Sequence, residues 1–133
     1  MDSRETITLL LQLFPEKEDE YTGHIRVYGE LLPDVFYSEN VGEKLVKLLE
    51  ENADTDKIKK YCRFIEAMIF DGDEEVKNTA DVSVLESLSV NKTVWHRFAK
   101  YISDDLIRYI NTVHIHENIA MRGVERLKYN GRK

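Results

Sequence analysis

The stretch DGDEEVKNTADVSVLESL, from Asp71 to Leu88, decides the fold. It begins with carboxylates around a glycine and ends in an apolar ladder, so it could be a metal loop, a catalytic acid pair or a helix start. An EF-hand calcium loop needs a glycine at its sixth position, but the sixth residue here is Val76. A catalytic pair needs a cleft that separates the two pKa values, which a solvated loop does not provide. The sequence therefore favours a helix start.

The predicted helix begins at Asp73, whose side chain can accept a hydrogen bond from the first turn. Glu74 and Glu75 follow in that turn, where the helix dipole favours negative charge. The apolar residues then recur at steps of four or lie between those steps: Val76, Ala80, Val82, Val84, Leu85 and Leu88. Because they cover more than half of the circumference, we expect this helix in the middle of a bundle.

Helical spacing extends over most of the chain and predicts an all-α fold. A first helix starts at Asp2 or Ser3 and carries an apolar face of Ile7, Leu10, Leu11 and Phe14. Further helices are expected to open at Asn40, at Asp54 or Thr55, at Asn91, and at Ser103. The last of these is predicted as a long C-terminal helix over residues 104–128, with a kink or frayed turn at Gly123.

Two segments fit this pattern less well. The run EKEDE, residues 16–20, is typical of a solvated connector. The segment HIRVY, residues 24–28, alternates as a short strand does, and it is equally compatible with an extended link into a short helix.

The helices can be paired as in a HEAT-like repeat. We pair residues 55–70 with 73–88, and 91–101 with the helix from 104 onward, at a period of roughly 35 residues. The pattern predicts a single all-α domain over residues 1–133, a helical array of six to seven helices with HEAT-like antiparallel pairs.

Composition narrows the class of protein. The chain has 133 residues, 42% of them hydrophobic and 33% charged, as expected for one globular domain. Its apolar runs are too short to span a bilayer, and its start lacks the order of a secretory signal. The single cysteine, Cys62, lies in an apolar helical pattern and is predicted to be a buried, inert thiol. We expect a cytoplasmic protein without membrane association.

The net charge of −6 is concentrated in the first part of the chain. Residues 1–53 contain 12 acidic and 5 basic side chains, which gives −7, whereas the remaining residues contain 13 and 14, which gives +1. Binding to nucleic acid requires clustered Lys and Arg, so nucleic acid is not an expected partner. An acidic surface favours a basic partner.

No residue pattern predicts catalysis, a metal or a cofactor. His114 and His116 are two residues apart and point to opposite sides of a helix. His114 and Glu117 are better spaced, but a structural zinc site needs four ligands. The sequence contains neither a GxSxG elbow nor a phosphate-binding GK[ST] loop. In VWHRFAKYI, residues 94–102, Trp95 and Phe98 share a helical face with Ile102, which predicts core rather than a site for nucleic acid.

A family resemblance rests on GELLPDVFYSENV, on KLLEEN, and above all on Gly72 to Leu88. Over about residues 29–105 these segments resemble a family of small, all-helical, HEAT-like bacterial proteins of uncharacterised function. Some members resemble immunity proteins of toxin systems. The resemblance implies the fold and a bacterial origin, and it implies no catalytic residue.

We therefore expect a non-catalytic protein-interaction module, in its sharpest form a bacterial immunity protein that neutralises a cognate toxin through a basic domain of that toxin. The alternative is a structural or regulatory protein that self-associates through the last helix, so monomer and homodimer both stay open. The candidate protein-binding residues combine anionic and aromatic side chains: Tyr28, Glu30, Asp34, Tyr37, Glu39 and Glu43.

Overall fold

The structure, a computed structural model, describes residues 1–118, 121 and 123–131. Within that part of the chain it contains seven helices, and the all-α prediction is confirmed. Helices α1, α2, α4 and α6 are Ser3–Leu13, Glu18–Tyr28, Thr55–Asp71 and Lys92–Ala99. The other three are interrupted by a π-helical segment each. They are α3 (Pro33–Tyr37, Ser38–Gly42, Glu43–Glu51), α5 (Glu74–Thr79, Ala80–Leu85, Glu86–Ser89) and α7 (Asp104–Tyr109, Ile110–His114, Ile115–Glu117).

The predicted helix starts are confirmed wherever a polar cap was assigned from the sequence, except at Asn40. The side chains of Asp2, Asp54, Asp73, Asn91 and Ser103 each accept a backbone N–H in the first turn of the helix after them. These bonds satisfy donors that would otherwise have no partner at a helix N-terminus.

Helix α4 belongs to the core along most of its length. Its buried side chains are Ile58, Tyr61, Cys62, Phe64, Ile65, Met68 and Ile69. Helix α1 packs against it, and α5 returns alongside it after a link of only Gly72 and Asp73. Burial raises the pKa of the Cys62 thiol, and the predicted burial of this cysteine is confirmed. No helix among the described residues is long and apolar enough to cross a membrane.

Helix α2 corrects the prediction of a connector followed by a possible strand. Residues 24–28 belong to this helix. Glu18, Asp19 and Glu20 occupy its first turn, where negative charge is favoured. It ends at Gly29, which adopts a left-handed φ of 79° that glycine reaches without strain. The acidic run therefore starts a helix, which outweighs the short alternation that suggested a strand.

Asn40 does not open a helix, which is a second correction. It lies inside α3 and is buried, and its side-chain N–H donates to the carbonyl of Phe36 at 3.0 Å. The preceding Pro33 occupies the first turn of α3, a position that proline tolerates because no intrahelical N–H is needed there.

The predicted long helix over 104–128 is wrong. Helix α7 ends at Glu117, and residues 124–130 run without regular structure across α6 and α7. The buried side chain of Asn111 holds this segment by two bonds to the backbone of Leu127, at 2.8 and 2.9 Å. The indole N–H of Trp95 donates to the carbonyl of Glu125 at 2.8 Å. The backbone of this segment therefore bonds to side chains of α6 and α7 at these positions, not to its own preceding turn as in a helix.

Lys17 lies in the run that was predicted to be solvated, yet it is only 5% exposed. Its ammonium group is 5.4 Å from the ring centroid of Phe14 and 5.2 Å from that of Tyr61, within range of cation–π attraction. Burial, and then the charge of Lys44, lowers the pKa of Lys17 to about 8. Folding therefore disfavours the charged form.

We predict that Lys17→Met raises the free energy of unfolding at pH 7 by about 1–2 kcal/mol, with allowance for screening by water. The pKa of Lys17 is about 8 in the folded chain, against about 10.4 when unfolded. The parent chain therefore gains stability as pH rises through this interval, and the advantage of the variant shrinks. Urea unfolding at pH 7 and pH 9.5 measures the difference in stability between the variant and the parent chain.

The control is Lys47→Met, which makes the same change at an exposed position. If the stability gained by Lys17→Met were the same at both pH values, it would contradict the burial of a charged Lys17.

Candidate functional site

Most of the predicted protein-binding residues lie at the surface, around the α2–α3 connection and along α3. The exposed ones are Tyr28, Glu30, Asp34, Glu39 and Glu43. Tyr37 is only 2% exposed, and its ring packs against Phe36 and Phe64. We correct its assignment, because a tyrosine in the core cannot present its ring to a partner.

The end of α2 carries two exposed apolar side chains. Val27 is 75% exposed and Tyr28 is 47% exposed. His24 is the only buried residue of this helix, and its Nε2 accepts the backbone N–H of Leu32 at 2.9 Å. The helix therefore attaches to the start of α3 through this histidine and leaves its apolar end open to solvent.

The acidic side chains of α2 and α3 form no ion pair with another described residue. All ten acidic residues between positions 16 and 51 are exposed. Among the described residues, every ion pair involves groups from position 81 onward. We call the exposed residues Val27, Tyr28, Glu30, Asp34, Glu39 and Glu43 the acidic surface. Its apolar members, Val27 and Tyr28, end α2, and its acids follow in the α2–α3 connection and along α3.

A second feature is a cleft between α5 and α7, with a volume of about 420 Å³. Both carboxylate oxygens of Asp81 accept a hydrogen bond from the hydroxyl of Tyr109, at 3.0 and 3.1 Å. Nδ1 of His114 lies 3.0 Å from Oδ1 of the same carboxylate. Burial, and then the charge of Asp81, raises the pKa of Tyr109, so this hydroxyl stays protonated and donates.

His114 is the residue of this cleft whose polar groups are least satisfied. Its side chain is fully buried. Neither ring nitrogen forms a well-directed hydrogen bond within the described residues, although the contact with Asp81 is short. An unsatisfied buried polar group costs about 1–3 kcal/mol, and few such groups occur in native proteins, so each one requires a physical explanation.

Two π-helical segments bring these side chains together. Asp81 lies in the segment Ala80–Leu85 of α5, and His114 ends the segment Ile110–His114 of α7. A π-helical segment inserts an extra residue into a helix and rotates the turns beyond it, and such segments occur frequently at functional sites. No group of three His, Cys, Asp or Glu side chains in the described part of the chain is arranged to hold a metal ion.

This cleft was not predicted from the sequence. The spacing within α7 drew attention to Glu117 as the partner of His114, whereas the closest acidic group to His114 is Asp81, from another helix. The available signal was an isolated acid within the apolar ladder of α5. The predicted core face of residues 94–102 is confirmed, since Trp95, Phe98 and Ile102 are buried.

The described residues form an all-helical domain with an acidic surface and a polar cleft between α5 and α7. The chain belongs to the family described as domain of unknown function DUF7674, whose sequence profile matches residues 7–117. The match is wider than the resemblance over 29–105, since it includes most of α1 and all of α7. No curated protein matches the chain. No solved structure matches it either.

We predict that Tyr109→Phe lowers the free energy of unfolding by about 1–2 kcal/mol, because the carboxylate of Asp81 loses its hydroxyl donor. Thermal or urea unfolding at pH 7 measures the loss. The matched control is Tyr101→Phe, which removes the same oxygen from another half-buried ring and is expected to cost less than half as much. Equal losses in the two variants would contradict the importance of the Tyr109–Asp81 bond.

Proposed function

We propose that this chain is a non-catalytic protein-interaction module that binds a basic protein partner through the acidic surface. In its most specific form the proposal is a bacterial immunity protein that acts in the cytoplasm and neutralises a cognate toxin. The observation that carries it is the set of exposed acids on α2 and α3, without ion-pair partners among the described residues, beside Val27 and Tyr28.

The composition of this surface suits recognition of a basic protein. Interfaces combine apolar or aromatic contacts with a polar rim, and the end of α2 offers Val27 and Tyr28 next to Glu30. Carboxylates that form no ion pair with another described residue attract a basic partner over several ångströms and speed its association. Because these charges are exposed, the interaction should weaken as salt concentration rises.

The arrangement of α4 and α5 is compatible with the HEAT-like form of this proposal. The two helices are joined by a two-residue link and lie against each other, as the helices of a HEAT repeat do. In repeat proteins, stacked pairs of this kind present extended binding surfaces.

The alternative, self-association through the last helix, loses its structural support. That idea required an apolar face on a long helix over 104–128. The apolar residues Leu106, Ile107 and Ile110 of α7 are buried in the core instead. We therefore propose that the chain binds its partner as a monomer.

The test is binding to the proteins encoded next to the gene for this chain, each purified and titrated by isothermal calorimetry at 50 and 500 mM NaCl. We expect one basic partner to bind with a Kd below 1 μM at low salt and at least tenfold more weakly at high salt. The double variant Glu39→Gln/Glu43→Gln should weaken this binding about tenfold or more.

The matched control is Glu74→Gln/Glu75→Gln, which removes the same two charges from exposed positions at the start of α5. We expect its affinity to stay within twofold of the parent chain. The proposal is wrong if no neighbouring product binds at micromolar concentration, or if both double variants weaken binding equally.

A further inference from the structure

The cleft between α5 and α7 has the size and chemistry of a small ligand site. Its volume of about 420 Å³ lies within the range of small-molecule pockets. None of its lining residues belongs to the acidic surface, and nothing in the proposed interaction with a protein partner uses it.

The charge of the cleft selects the class of ligand. Its described lining contains the carboxylates of Asp81 and Glu117 and no lysine or arginine. An anionic ligand would therefore meet repulsion, whereas a cationic ligand would be attracted. The ring of Tyr109 also lines the cleft, and aromatic rings attract cations.

Asp81 retains the capacity to bind such a ligand. An ionised carboxylate offers about four acceptor sites. The hydroxyl of Tyr109 bonds to both oxygens, and Nδ1 of His114 is close to Oδ1. Because the side chain of Asp81 is still 19% exposed, an N–H donor in the cleft can reach it.

His114 supplies the independent observation. It is fully buried, and both of its ring nitrogens lack a directed hydrogen bond within the described residues. Nδ1 faces the carboxylate of Asp81, which accepts, so in a neutral imidazole Nδ1 carries the proton and Nε2 is the acceptor. An N–H donor of a bound ligand would satisfy Nε2, which the described residues leave unpaired. This nitrogen and the carboxylate of Asp81 both require an N–H donor from the ligand.

We propose that this cleft binds a ligand that carries a primary ammonium or guanidinium group, held by Asp81 and His114 with Glu117 at the rim. The same chemistry occurs in a free small amine and in the lysine or arginine side chain of a protein. Three ligating side chains in suitable positions are missing from the described residues, which favours an organic cation over a metal ion.

The test is a titration of the ¹⁵N-labelled chain, followed by two-dimensional NMR, with agmatine, which carries both cationic groups. A second arm uses the blocked peptide acetyl-Ala-Arg-Ala-amide as the protein source. We expect shifts centred on residues 78–81 and 109–117 with a Kd below 1 mM, and the tighter of the two probes identifies the source. Pentanamide, phosphate and zinc serve as uncharged, anionic and metal probes.

Asp81→Asn should weaken agmatine binding at least tenfold, and Glu117→Gln about threefold. The matched control is Asp105→Asn on the exposed side of α7, outside this cleft. We expect its affinity for agmatine to stay within twofold of that of the parent chain.

If Asp81→Asn does not fold, Glu117→Gln decides, because the side chain of Glu117 is exposed. The proposal is overturned if neither cationic probe shifts these residues at 10 mM. It is also overturned if phosphate, zinc or pentanamide binds more tightly, or if Glu117→Gln and Asp105→Asn bind agmatine equally well.

Discussion

The tight corner between α4 and α5 is the constraint on which the rest of the structure depends. Helix α4 ends at Asp71 and α5 begins at Glu74, so the two helices can pack together only if the chain reverses at once. A Cβ atom on Gly72 would lie 2.2 Å from the carbonyl oxygen of Met68, too close for any other residue. Asp73 then caps α5, and its backbone N–H donates to the carbonyl of Met1 at 2.8 Å, which also anchors the start of α1.

The π-helical segments of α3 and α5 lie where α5 packs against its other neighbours, α3 and α7. At the crossing of α3 and α5, a Cβ atom on Gly42 would lie 2.9 Å from the carbonyl oxygen of Ser83, so the helices approach as closely as a glycine allows. The π-helical segment of α5 also contains Asp81, which reaches α7 at Tyr109 and His114. The position of the cleft therefore depends on how α5 lies against α4 and α3.

Local chemistry explains which features the sequence predicted. Helix caps such as Asp73 and Asn91 depend on residues within one turn, and the apolar faces depend on helical spacing alone, so both were found. For residues 24–28 the sequence left a strand and an extended link open, and both alternatives missed that the acidic run before them starts a helix. Other features depend on contacts between distant segments and could not be predicted locally. They are the burial of Lys17, the two bonds between Asn111 and Leu127, and the pairing of Asp81 with His114. A π-helical segment likewise has no residue signature, because tertiary packing stabilises its extra residue. The acidic composition was visible in the sequence, whereas the burial of Tyr37 and the cleft were not.

The most direct test of this account compares Gly72→Ala with Gly23→Ala by urea unfolding at pH 7. Gly23 lies inside α2, and nothing is within 4 Å of the position that its Cβ would occupy, so alanine should stabilise the chain by about 0.5–1 kcal/mol through helix propensity. At Gly72 the same methyl group meets backbone oxygen, and we predict a loss of about 2 kcal/mol or more. A Gly72→Ala chain as stable as the parent would contradict the corner as the organising constraint of the fold.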